Sequence, residues 1–140
     1  MRLKMVRREA MWKSDFSLFL KEKRRAREIT VRDMADKSGV SAGYYSDFES
    51  GRRNPPDREI LDRMVAALQL SDADRTLLYD LAGKARSEAP LDLSDYINEH
   101  EEVRVALRMA KETGDARVWN KFINYLEFEK GGARSLYMEN

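Results

Sequence analysis

His100 stands among Glu99, Glu101 and Glu102, a grouping whose side chains could ligate a metal or trade protons. Successive helical residues step by about 100°. Four adjacent ones therefore fan around a helix instead of converging on one ion, and a solvated face is the reading they support. His100 is also the one histidine, and there is no cysteine. That composition excludes thiol nucleophiles, disulfides and a structural zinc site, and leaves Ser/His/Asp catalysis resting on a single imidazole. Neither a glycine-rich phosphate loop nor a Gly-Lys-Ser/Thr string occurs, so nucleotide binding has no residues to stand on. The chain is expected to be no enzyme, to hold no metal and to need no cofactor.

The chemistry that remains is ionic. A net charge of +1 conceals an uneven distribution: residues 1–59 carry 15 Lys/Arg against 10 Asp/Glu, and residues 60–140 carry 11 against 15. The front half is the part that attracts a polyanion. Its most informative stretch is Thr30–Pro56, TVRDMADKSGVSAGYYSDFESGRRNPP. Two short helical segments meet there at Gly39, and Arg52, Arg53 and Asn54 follow the second one. Small Ala35 permits a close helix crossing, while Val40, Tyr45 and Phe48 are apolar where they would lock the pair together. This is helix-turn-helix geometry, which presents its second helix to a major groove.

The elements that position this segment are all helical. Valine is sparse, period-2 alternation is absent, and hairpin dipeptides are missing. Ser14 is expected to cap a first helix with Phe16, Phe19 and Leu20 inward. Thr30, with Asp33 three residues on, caps a second that ends at Gly39. Ser41 caps a third, which stops at Gly51, and RRNPP is non-helical because of its prolines. Ile60, Leu61, Met64, Val65 and Leu68 form the stripe of a fourth helix. Ser71 and Asp74 open a fifth that buries Leu77, Leu78, Leu81 and Ala85. Beyond SEAPLD come a helix ending at Gly114 and a last one, capped by Asp115, with Val118, Trp119, Phe122, Ile123 and Leu126 as its stripe. The expected layout is a basic arm over 1–13, a domain over 14–86, a linker over 87–92, a helical subdomain over 93–130 and a fraying tail over 131–140. With 42% apolar and 36% charged residues, no apolar run near 18 and no signal-peptide core, a folded cytoplasmic chain without a membrane span is expected.

Met34-Ala35, Gly39, Val40, Ser41, Tyr45, Phe48, Glu49, Gly51 and Pro55 together resemble the lambda-repressor-like (Cro/CI or XRE-type) transcriptional regulators. The resemblance spans about Phe16 to Leu81 and extends to the order of five helices. It implies an all-α, five-helix DNA-binding domain, here with a C-terminal helical extension. The tail YINEHEEVRVALRMAK is similar to extensions on some bacterial and phage-derived members. One position departs. The glutamine that commonly opens the first motif helix and bonds a phosphate is Val31 here, leaving that contact to Arg32 or to the N–H groups after Thr30.

With Tyr45 and Phe48 inward, 100° steps point Gly43, Ser46, Asp47 and Ser50 outward, and set Ala42 and Tyr44 on the flanks. The resemblance implies base contacts from Ala42, Gly43 and Asp47, and Ser46 shares their face. Ala42 suits a thymine methyl, and Asp47 suits a cytosine amine or is simply a solvated charge. Arg52, Arg53 and Asn54 resemble the family's phosphate-contacting turn, joined by Thr30, Arg32, Ser41 and Tyr44; for Tyr44, core packing is the other reading. The resemblance also pairs Glu49 with Arg24 in a structural, largely buried ion pair. The aromatic stripe of the last helix packs within the chain or crosses a two-fold axis. The expected protein is a dimeric, cytoplasmic repressor on double-stranded DNA with a pseudo-palindromic operator. A protein-interaction module and an antitoxin with its own protein partner are the rivals.

Overall fold

The computed structural model describes the backbone of residues 2–138, and the side chains of residue 11 and residues 14–131. Among the described residues there are eight helices and no strand: α1 (Arg2–Ala26), α2 (Val31–Ser38), α3 (Ala42–Ser50), α4 (Arg58–Leu68), α5 (Asp72–Arg86), α6 (Leu91–Glu99), α7 (Glu101–Thr113) and α8 (Arg117–Met138). None of them is long and apolar enough to cross a membrane.

Local chemistry sets most of the boundaries. Thr30, Ser41 and Ser71 each sit in extended backbone and accept the N–H of the residue three further on, so each satisfies one of the amides a helix start leaves bare. Asp57 does the same for α4 through the Ile60 N–H. Gly39, Gly51 and Gly114 close α2, α3 and α7 in left-handed backbone. Gln69 and Ser87 close α4 and α5 in that conformation without being glycine.

Packing divides the chain after Tyr96 into two compact units, Met1–Tyr96 and Ile97–Asn140. In the first, α1 lies against α5 and α3, and α2 against α3 and α4. Phe16, Leu20, Met34, Ala35, Tyr45, Phe48, Leu61, Met64, Leu68, Leu78, Tyr79 and Ala82 form one buried cluster. Each large member contributes roughly 1.5–3 kcal/mol by leaving water. The second unit contains α7 and α8.

Four expectations need correction. Ser14 lies inside α1, because nothing between residues 2 and 26 is a glycine or proline that would interrupt the helix. The arm expected over 1–13 is therefore backbone-continuous with α1 from Arg2 onward, although nearly all its side chains lie outside the described ones. At the other end α8 runs to Met138 through Gly131-Gly132, the expected start of a tail whose final two residues lie outside the described backbone. Glycine weakens a helix but, unlike proline, leaves its hydrogen bonds in place. In α5 the buried face is Leu78, Tyr79, Ala82 and Ala85, while Leu77 is exposed. The stripe is rotated by about one residue, with Tyr79 inward in place of Leu77 and its hydroxyl donating to the Asp62 carboxylate on α4. Finally, the expected linker over 87–92 is not where the chain divides. The backbone of residues 88–90 folds back against α5 so closely that a Cβ on Gly83 would stand 2.9 Å from the Glu88 carbonyl oxygen. Leu91 then packs on the core.

Candidate nucleic-acid interface

The turn between α2 and α3 is built around Gly39, at φ +74°, whose N–H donates to the Asp36 carbonyl at 3.1 Å. Val40 N–H then reaches the Ala35 carbonyl at 3.0 Å. These two bonds satisfy carbonyls at the end of α2 and redirect the chain before Ser41 starts α3. The left-handed backbone favours glycine, and the Arg63 guanidinium occupies the space a Cβ would need.

Tyr45 and Phe48 have no exposed surface, so they fix which face of α3 is left outside. Ala42, Gly43 and Ser46 lie on that face and are exposed, and Asp47 borders it half-buried. A Cβ placed on Gly43 would meet no atom within 4 Å, which leaves the backbone there open to close approach. Ser17 Oγ donates to the Phe48 carbonyl at 2.6 Å and ties the end of α3 to α1.

Beneath this face lies an ionic network. Arg24 Nε donates to Glu49 Oε1 at 2.5 Å and its Nη2 to Oε2 at 3.1 Å, while its Nη1 donates to the Ile29 carbonyl at 2.8 Å. The Tyr45 hydroxyl donates to Glu49 Oε1 at 2.7 Å. Arg24 and Glu49 side chains keep only 11% and 9% of their surface. Hydrogen bonding to Glu49 raises the Arg24 pKa further. Burial, and then the bond to Glu49, pushes the Tyr45 phenol well above its ordinary value. The network joins α1, α3 and the α1–α2 loop, so its role is to hold the outer helix in place.

Residues 52–54 are exposed, but their anchorage is firm. Pro55 and Pro56 are buried, and Arg86 of α5 donates to the Pro55 carbonyl at 2.9 Å. Sequence reasoning missed Arg86, which is thirty-one residues away and carries no local signal. It also gave no warning of where Arg53 goes. Arg53 N–H donates to the Asp47 carbonyl at 3.3 Å. Its guanidinium lies 4.1 Å from the centre of the Tyr44 ring and 3.6 Å from the Asp47 carboxylate. Tyr44 is half-buried and meets Phe48 edge to face at 5.1 Å. Thr30 and Ser41 hydroxyls accept cap bonds and retain a proton to donate outward. Arg32 is exposed in the first turn of α2.

In the second unit, Val118, Trp119, Phe122, Ile123 and Leu126 are each more than a third exposed. Trp119 and Phe122, with Ala106, Met109, Ala110 and Val118, line an apolar groove between α7 and α8. His100 precedes α7 without capping it through its side chain. Among the described residues no three His, Asp or Glu side chains converge to hold a metal ion.

Comparison with known proteins places residues 15–78 in the family described as a helix-turn-helix domain. The uncharacterized HTH-type transcriptional regulator RghRB of Bacillus subtilis (strain 168) is 37% identical over 57 residues, which are 41% of each protein. The chain thus matches about two fifths of the length of that curated relative. Among solved structures, the clp gene regulator ClgR from Corynebacterium glutamicum shares 30% identity over 61% of this chain and 89% of its own, with a TM-score of 0.43. A SinR protein/SinI protein complex aligns at 21% identity over 83% and 98%, with a TM-score of 0.42.

Proposed function

Residues 15–78 form a helix-turn-helix domain of the lambda-repressor-like (XRE) type, and from that premise we propose that the protein is a sequence-specific DNA-binding transcriptional regulator, a repressor acting by occlusion. The observation that carries this reading is the outer face of α3. Ala42, Gly43 and Ser46 stand in solvent with small side chains, on a helix held from behind by a fully buried Tyr45 and Phe48. Such a face admits the edges of base pairs, with Asp47 at its border. Arg32, Arg52 and Asn54, with the hydroxyls of Thr30, Ser41 and Tyr44, supply the flanking phosphate contacts that fix register. The basic front half draws the duplex toward this face.

Dimerisation belongs to α7 and α8. Their exposed apolar stripe needs a cover, which a second copy of the chain supplies; dimeric regulators of this type engage half-sites about 34 Å apart, one turn of DNA. The same exposed groove favours the rival reading, an interaction module or antitoxin that binds a protein partner. The regulator reading needs no cofactor and places the protein with its DNA in the cytoplasm.

Titrating binding to a random duplex against salt, followed by selection of bound sites from that library, tests both halves. A log–log slope of about −0.9 per neutralised phosphate is expected, reduced by roughly one per protomer in Arg52→Ala. The selected sites should be pseudo-palindromic. A flat salt response establishes the interaction module instead, and selected sites without symmetry remove the dimer.

A further inference from the structure

Resting on the DNA-binding reading above, we propose that Arg53 reads a guanine edge in the groove that α3 enters, with Asp47 and Tyr44 positioning its guanidinium. The outward residues of α3 pose the problem. Ala42, Gly43 and Ser46 offer a methyl group, bare backbone and a short hydroxyl, and none can make the paired hydrogen bonds that distinguish guanine. Asp47 is longer but negative, so alone it repels the phosphates on both sides of a groove. A helix with only these residues would discriminate poorly.

The loop supplies what the helix lacks. Gly51 turns the chain back in left-handed backbone, and the Arg53 N–H bond to the Asp47 carbonyl lays the loop along α3. The Arg53 guanidinium then rests over the Tyr44 ring, which is itself braced against buried Phe48. The ring holds the guanidinium over its face at 4.1 Å, and the Asp47 carboxylate lies 3.6 Å from one of its terminal nitrogens. A guanidinium carries five donors, so the remaining edge is available, and the side chain is 45% exposed. The same pairing offsets the Asp47 charge, which removes the objection to a carboxylate on this face. Arginine suits this arrangement and lysine does not, since only the planar guanidinium stacks and donates two parallel bonds.

The deciding experiment selects bound sites from a random duplex library with the wild type, Arg53→Lys and Asp47→Ala. Affinity is then titrated on the selected duplex, on a random duplex, and on the selected duplex carrying 7-deazaguanine at the read position. Wild-type sites should fix one guanine per half-site. Arg53→Lys, which keeps the positive charge, should lower the selected-to-random affinity ratio about 5- to 150-fold, the range of one paired base contact. Removing the guanine N7 should cost the wild type a similar factor and cost Arg53→Lys little. Asp47→Ala should lower the same guanine preference. A lysine variant that retains the parental preference at every position, together with a wild type indifferent to loss of the guanine N7, overturns the proposal and makes Arg53 a phosphate contact. Asp47→Ala losing a cytosine preference while keeping guanine overturns the positioning role. Salt-insensitive binding by the wild type would remove the DNA-binding reading as well, which separates that failure from these.

Discussion

Glu49→Ala isolates the network under α3. Alanine takes away both bonds from Arg24 and the acceptor of the Tyr45 hydroxyl. It leaves an arginine whose side chain is 11% exposed without a counter-charge, and a phenolic donor on a residue with no exposed surface. Breaking a buried pair by deleting one partner costs about 3–5 kcal/mol. An orphaned buried donor alone costs about 1–3 kcal/mol. Because the two groups share one carboxylate, the two costs are not summed, and about 3–5 kcal/mol is the expected loss. Against a total stability of about 5–15 kcal/mol for a domain, that is a large part. At about 4–8 °C per kcal/mol for a domain of this size, the melting temperature should fall by roughly 12–40 °C. Far-UV circular dichroism follows the transition, and amide exchange in α2 and α3 assigns it to the first unit. Replacing both partners, as Arg24→Met with Glu49→Leu, should restore most of the loss, because no charge is then left buried. Glu49→Ala melting within about 0.5 kcal/mol of the wild type, the range of ordinary surface substitutions, would refute the reasoning.

Two further outcomes concern the same face. Burial and the bond to Glu49 raise the Tyr45 pKa in the folded chain, so its stabilising effect is complete below the unfolded value of about 10. Above that pH the unfolded chain loses a proton that the folded chain keeps, and stability should fall by about 1.4 kcal/mol per pH unit. Urea unfolding between pH 9 and 11 (roughly bracketing that value) should show the decline in the wild type and a shallower one in Tyr45→Phe; equal slopes would contradict the assignment. Gly43→Ala should stabilise α3 by about 0.5–1 kcal/mol, since its Cβ meets nothing within 4 Å. The same Cβ stands where a base pair approaches, so affinity for the selected duplex should drop while the melting temperature rises. Gain of stability with undiminished affinity would show that DNA does not come close at Gly43.

What the sequence made legible was whatever is decided within one helical turn. Thr30, Ser41 and Ser71 cap their helices because a hydroxyl three residues before a bare amide has a short, almost fixed reach. Gly39 closes α2 for an equally local reason, its positive φ. Tyr45 and Phe48 lie inward together because residues three apart on a helix share a face. The Arg24–Glu49 contact, though distant in the chain, came through the family resemblance and not through any local rule. Elsewhere the reading depended on a rotation or a path. Choosing Leu77 over Tyr79 required ranking two neighbouring residues, and it is the tyrosine, bonded to Asp62 on another helix, that is buried. The 87–92 segment has the composition of a linker, but Gly83 lets it lie against α5.

Arg53 is the consequential case. Composition and spacing mark it as a loop cation beside Arg52, and a solvated cation beside DNA most simply meets phosphate. The left-handed turn at Gly51, the buried prolines after Asn54 and the tether from Arg86 restrict the loop's path. Along that path Arg53 lies over Tyr44, and Arg52 does not share the contact. Two adjacent arginines, chemically identical, thereby acquire different environments. Their separation is a property of the loop's anchorage, which is formed by the buried prolines, α5 and the core. Specificity in such a domain can consequently change through substitutions at Pro55 or Arg86 that touch no base, because those positions determine where the guanidinium is held.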